Sequence, residues 1–304
     1  MVLNSLFPIF ALLALGALLK AFKMTSSEFL NTSDKLIYYI FFPVMLFWKI
    51  GSSKTGAAVD WAFCAASICA LLILYILSTW YIVKYKIPDF KAGSFSQSCY
   101  RFNTYIGMAV ILNATGEEGI MYFGILIGII IPLINVLAVS TLIWFSGFQF
   151  SLGHRMQVTI KALISNPLII ACIGGLVYAR TVNHFPVYID NTFHLASLVT
   201  LPLALLSIGG SLTLGSIKGY FNLSLIGSFF KLIAFPVLGF LCMTLFRVDP
   251  IPFKTGMIFF ALPTSPAIYV LSSQLNSDTQ LAAATVVLST VLSFASLSVV
   301  LMMA

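Results

Sequence analysis

Residues 1–19, 61–83, 119–153 and 279–304 of this 304-residue chain contain no aspartate, glutamate, lysine or arginine. Each stretch is close to or above the ~20 residues that a helix needs to cross ~30 Å of hydrocarbon. A soluble domain carries roughly a quarter charged residues, because it has to cover its surface. Here the charged share is 8%, against 60% apolar, so the solvent of this chain is lipid. No run of alternating polar and apolar residues closed by tight turns occurs, so an outer-membrane barrel is not expected. The chain reads as an all-α polytopic membrane protein whose first partner is the lipid bilayer.

Ten spans are expected, at 2–20, 34–51, 60–83, 94–115, 119–145, 158–179, 190–212, 219–246, 253–274 and 279–303. Short linkers hold most of the charge, so the net charge of +7 belongs to basic loops on a membrane face rather than to a nucleic-acid surface. Odd-numbered loops hold Lys20, Lys23, Lys35, Lys84, Lys86, Lys91, Arg155, Lys161 and Lys218; even-numbered loops hold only Lys49, Lys54, Arg180, Arg247 and Lys254. That bias places the odd loops in the cytoplasm and both termini outside, in a multi-pass protein of the cytoplasmic membrane. No basic residue precedes the first apolar run, so it is read as a first span and not as a cleavable signal. The five cysteines lie in apolar runs without a Cys-x-x-Cys pair, and the three histidines are scattered. Neither a metal site nor a cofactor is expected.

One offset recurs along the chain. Pro8 and Pro167, Gly16 and Gly175, Pro43 and Pro202, Gly51 and Gly210, and Ser52 and Ser211 are each 159 residues apart. The offset covers five spans, an odd number, so a second copy would enter the membrane from the opposite side. Two inverted five-helix repeats are therefore expected, 1–150 and 151–304, with a substrate site where they meet, as in secondary transporters. The fourth helix of each repeat carries a break. Span nine reads Leu262-Pro263-Thr264-Ser265-Pro266, and two prolines three apart remove two backbone donors and clash with earlier carbonyls. Ser265-Pro266 has the form of an N-cap and first helical position, which would start a half-helix at Ala267. In span four, Asn103 and Thr104 can bond freed backbone groups, and Gly107 permits an unusual dihedral. Broken helices survive in a membrane only when buried in protein or lining a wet cavity, and their new amino termini attract anions.

Arg101-Phe102-Asn103-Thr104-Tyr105-Ile106-Gly107-Met108, Ser165-Asn166-Pro167, the run from Pro202 to Leu212 and Leu288-Ser289-Thr290-Val291-Leu292-Ser293 resemble the auxin efflux carrier family. The resemblance runs nearly end to end, and Pro202-Leu203-Ala204-Leu205 followed by Gly209-Gly210-Ser211-Leu212 is its most specific piece. It implies a ten-helix fold like that of the bile-acid sodium symporters, with helices four and nine crossing and one domain moving against the other as an elevator. It also implies that Asn103 and Pro263 are the crossover residues. Only about residues 146–161 fill the gap after span five, where the plant auxin exporters carry a long hydrophilic segment. The chain is thus closer to the short bacterial members linked to malate or malonate.

The expected substrate is a small carboxylate, bound by Arg101, Asn103, Thr104, Pro263, Thr264, Ser265 and Lys231. Arg101 can grip a carboxylate with its fork or snorkel to the headgroups. Lys231 lies inside an apolar run, where a lysine costs roughly 2.5–3.5 kcal/mol on insertion scales; its partner is a substrate, a carbonyl or an acid. Glu117 and Glu118 are paired as in some intramembrane proteases, but no matching arginine or histidine follows, so they read as external loop charges beside Asn113 and Thr115. Asn135 reads as a polar tie between helices. No acid at depth stands out as a proton carrier; coupling to protons or sodium, a uniporter or anion channel, and a homodimer are left open. An intramembrane enzyme lacks its nucleophile, base or metal cluster.

Overall fold

A computed structural model describes residues 2–52, 60–145, 157, 160, 164–182, 184–212 and 219–303. Lys54, His154, Arg155, Lys161 and Lys218, which entered the charge and histidine readings, and the start of the sixth expected span lie outside the described residues. The structure is all-helical, 86% helix, with no strand among the described residues. Backbone hydrogen bonds thus close within each segment, as lipid requires. Helices Trp61–Lys84, Asp89–Phe145, Val187–Ser211, Phe221–Leu245 and Thr279–Met303 are each long and apolar enough to cross a membrane, and Leu6–Ala21 and Pro167–Thr181 are shorter apolar helices. The protein is embedded in a membrane.

The elements in order are α1 (Val2–Ala21), α2 (Ser27–Leu36), a π-helical turn (Ile37–Phe41) running into α3 (Phe42–Gly51), α4 (Trp61–Lys84), α5 (Asp89–Tyr100) and α6 (Thr104–Phe145). They are followed by α7 (Pro167–Thr181), α8 (Val187–Ser211), α9 (Phe221–Phe229), a second π-helical turn (Phe230–Ala234) running into α10 (Phe235–Leu245), α11 (Pro250–Ala261), α12 (Ala267–Gln274) and α13 (Thr279–Met303). Polar residues set the starts. Ser26 accepts from the Phe29 amide at 3.0 Å, Asp60 from Phe63 at 3.0 Å, and Asn166, just before Pro167, from Leu168 at 3.0 Å. The Ser26 cap explains why the second helix begins at residue 27 and not at 34: Ser27–Asp34 is too polar to read as a span but is helical once capped. Four helix ends turn through a left-handed residue, at Lys23, Lys86, Arg247 and Asn276. In each, the following amide closes back on a carbonyl five residues earlier, as Ile87 does on Ile82 at 3.1 Å.

Packing sorts the helices into two groups. In one, α1 lies against α8 and α3 against α7; in the other, α4 packs on α10, α6 on α11 and α9 on α13. The first group is close-set through glycine. A Cβ added at Gly16 would stand 2.1 Å from the Leu206 carbonyl oxygen, and one at Gly209 would stand 2.0 Å from that of Leu13. Gly175 likewise faces the Phe47 carbonyl and the Ile50 side chain. Close backbone approach between small residues is the means by which helices associate in lipid, where apolar side chains gain nothing from leaving water.

Gly116 divides α6, with φ 68° and ψ −155°, a conformation that glycine alone adopts readily. Residues 104–115 complete the fourth expected span and 117–145 form the fifth. Gly107, by contrast, does not serve as a dihedral exception. It is inside the helix, and a Cβ there would meet Leu262 and Phe123 side chains at 2.6 Å. Its role is to let α6 approach the break in span nine.

Candidate functional site

Both expected breaks are present. Arg101, Phe102 and Asn103 separate α5 from α6, and residues 262–266 separate α11 from α12. The Asn103 amide donates to the Pro263 carbonyl at 2.9 Å, so the two broken helices meet backbone to backbone. The rest of the junction is tied by side chains. Thr264 donates its hydroxyl to the Ser98 carbonyl at 2.9 Å, and its amide donates to Ser289 Oγ at 3.1 Å. Phe102 packs edge-on against Phe259, with ring centroids 4.7 Å apart. Farther along, Ser94 Oγ bonds Ser272 Oγ at 2.8 Å and Ser277 Oγ at 2.9 Å, joining α5 to the α12 segment.

The half-helix ends are individually provided for. Asn103 Oδ1 accepts from the Tyr105 amide at 3.1 Å and the Ile106 amide at 3.2 Å, capping α6. Ser265 Oγ accepts from the Ala267 amide at 3.3 Å, and α12 begins at Ala267 as the Ser265-Pro266 pair implies. At the other end of the second break, α11 finishes with unpaired carbonyls deep in the protein. Lys231, fully buried, donates to the Phe260 carbonyl at 2.9 Å, and Ser296 donates to that of Ala261 at 3.0 Å. The Lys231 ammonium also lies 4.7 Å from the centre of the Phe235 ring. Of the three partners open to Lys231, the structure gives it the carbonyl. An ammonium suits that place, because the carboxyl end of a helix carries partial negative charge.

A cavity of about 550 Å³ lies beside this junction, between the two helix groups. Its wall includes Arg101, Thr104 and Tyr105 from the first break and Ser265, Pro266 and Ala267 from the second, so both half-helix amino termini face it. Asn103, Pro263, Thr264 and Lys231 are not in the wall; they lie behind it and hold the junction. Arg101 is 7% exposed and donates from Nη2 to Asn135 Oδ1 at 2.6 Å, while its Nε has no hydrogen-bond partner among the described residues. A guanidinium so far inside the fold does not reach for headgroups, so the snorkelling alternative for Arg101 falls away. Asn135, read from sequence as a tie between helices, is the group that orients Arg101.

The wall also includes residues that sequence reasoning passed over. Asp34 and Tyr38 come from the second helix, and Asn166 and Ser211 from α7 and α8. Asp34 accepts a hydrogen bond from the Ser207 hydroxyl. The cue was present in the Ser165-Asn166-Pro167 and Gly209-Gly210-Ser211 motifs, but Asp34 stood at the assumed edge of a span. A second, larger groove of about 740 Å³ runs along α9, α10 and α13, walled by apolar side chains such as Phe229, Val237 and Phe240. Apolar surface of that kind is what lipid covers, and it holds no converging polar groups.

Residues 152–301 match the family described as membrane transport protein. A protein of Methanocaldococcus jannaschii named as an uncharacterized transporter is 22% identical over 289 residues, which cover 93% of this chain and 92% of that protein. These likenesses agree with the membrane-embedded helices and with the motifs of the first subsection. Residues 152–301 carry a domain of the membrane transport protein family, the family of the auxin efflux carriers.

Proposed function

We propose that this membrane transporter is a secondary active carrier that moves a small carboxylate across the cytoplasmic membrane from the cavity at the crossing of its fourth and ninth helices. The observation that carries the reading is the cavity wall itself. It brings a buried arginine together with the amino termini of two half-helices, and each of these favours an anion. The ten-helix arrangement of two inverted repeats, 1–150 and 151–304, is part of the same proposal. Its support is that contacts recur under the 159-residue shift. Gly16 against Leu206 becomes Gly175 against Phe47. Thr200 Oγ1 donates to the carbonyl of Phe41, its own counterpart in the other copy, at 3.4 Å, as residues beside a two-fold axis do.

An elevator motion fits the division of the helices into two packed groups with the cavity between them. The test is uptake of labelled mono- and dicarboxylates into proteoliposomes. Saturable uptake at carrier rates is expected, and Arg101→Gln should weaken substrate affinity about tenfold, since a charge-assisted hydrogen bond contributes roughly 1.5–3 kcal/mol. Channel-like flux that does not saturate, or carboxylates inert while cations are carried, would overturn the reading.

A further inference from the structure

The wall of the cavity carries two opposite charges, not one. Arg101 sits on the broken fourth helix, held by Asn135. Asp34 sits on the second helix, held by Ser207. The two are not paired with each other: the one salt bridge among the described residues joins Lys49 and Glu117 elsewhere. Arg101 and the two half-helix amino termini favour an anionic group, but a second carboxylate on the same ligand would share the wall with a carboxylate of the protein.

We infer that the preferred ligand is bipolar: its carboxylate goes to Arg101 and an ammonium group goes to Asp34, so that the substrate class is amino acids rather than dicarboxylates. The inference rests on the proposed carboxylate site and adds the second pole. Like charges brought together in a partly desolvated cavity repel, which disfavours a dianion. An ammonium opposite Asp34 supplies the missing countercharge and up to three donors to a carboxylate whose one side-chain donor among the described residues is the Ser207 hydroxyl. A simple monocarboxylate satisfies Arg101 and leaves Asp34 to water. The order of affinity expected is therefore amino acid, then monocarboxylate, then dicarboxylate.

The experiment is a binding series on the purified full chain in lipid nanodiscs at neutral pH. It uses ω-amino acids of three to six carbons beside the monocarboxylates and the α,ω-dicarboxylates of the same lengths. At one chain length or more, the amino acid should bind at least fivefold tighter than the matched monocarboxylate and more than tenfold tighter than the matched dicarboxylate. Asp34→Asn should remove the preference for the amino acid and raise dicarboxylate affinity. Arg101→Gln should weaken all three. If dicarboxylates bind best, or if Asp34→Asn leaves the ranking unchanged, the bipolar ligand is wrong while the carboxylate site stands. If no carboxyl compound binds at all, the carboxylate site falls, and the bipolar ligand falls with it.

Discussion

At the scale of single residues, Lys231 shows how a buried charge can serve architecture rather than substrate. Its ammonium closes the carboxyl end of α11 and is not part of the cavity wall. Lys231→Met should therefore lower the thermal stability of the detergent-solubilised protein. Leaving the buried Phe260 carbonyl unpaired costs about 1–3 kcal/mol. Carboxylate affinity of the folded fraction should stay within about twofold. An unchanged melting temperature together with a tenfold loss of affinity would return Lys231 to the substrate. Arg101 differs in kind: it lines the cavity, and its Nε has no hydrogen-bond partner among the described residues. Removing Asn135 by Asn135→Leu leaves the guanidinium in place but unoriented. Affinity should drop several-fold, less than for Arg101→Gln, as titration calorimetry on both variants would resolve.

At the scale of elements, the crossing is held by a backbone bond and by side chains that cap what the breaks expose. Asn103→Ala removes the cap on Tyr105 and Ile106, a loss of ~1 kcal/mol for a typical helix start. Pro263→Ala returns an amide and relieves the clash that keeps α11 from continuing toward α12. Both changes act where α6 and α12 present their first turns to the cavity. Transport in whole cells should therefore be lost or strongly reduced, with membrane abundance within about twofold by immunoblot. Normal uptake by both variants would place the site away from the crossing. The close approach of α1 and α8 answers to a different constraint, because Gly16 and Gly209 each face a backbone carbonyl that cannot move aside.

For the whole molecule, one ion pair bears on motion. Lys49, at the end of α3, pairs with Glu117, just after the Gly116 bend in α6. It thus ties the helix group built on α1, α3, α7 and α8 to the group built on α4–α6 and α9–α13. The cavity wall draws on the opposite ends of the same elements: residues 34–39 before α3, and 208–211 at the end of α8. The tie and the opening are therefore at different faces. An exposed pair of this sort contributes only ~0–1 kcal/mol, weak enough to break in each cycle of the proposed elevator motion. Cysteines at both positions, Lys49→Cys with Glu117→Cys, should stop uptake when oxidised and restore it when reduced. Undiminished uptake by the cross-linked protein would show that the two groups do not separate there. Cysteine-accessibility labelling should find both termini on the outer face. A terminus accessible only from the cytoplasm would invert the orientation and break the odd-helix repeat.

The solvent, the helical class and the positions of both breaks were legible in the sequence. Those properties follow from local chemistry: the length of uncharged runs, prolines that cannot continue a helix, and a serine-proline pair that starts one. The sequence also named Arg101, Thr104 and Ser265, which do stand in the cavity wall. What it could not sort was which of the seven candidates face the cavity and which support it, because residues one position apart on a broken helix point in different directions. Asn103 and Arg101 are two residues apart, yet one caps a helix and the other faces an open wall. Only the tertiary structure brought Asp34, Tyr38 and Asn166 to the same cavity, from helices far apart in the chain. Only it showed that Lys231 is engaged by a carbonyl. Partners separated by 29 to 173 residues leave no periodicity to read; they meet because glycine-lined helices pack closely enough to carry them there.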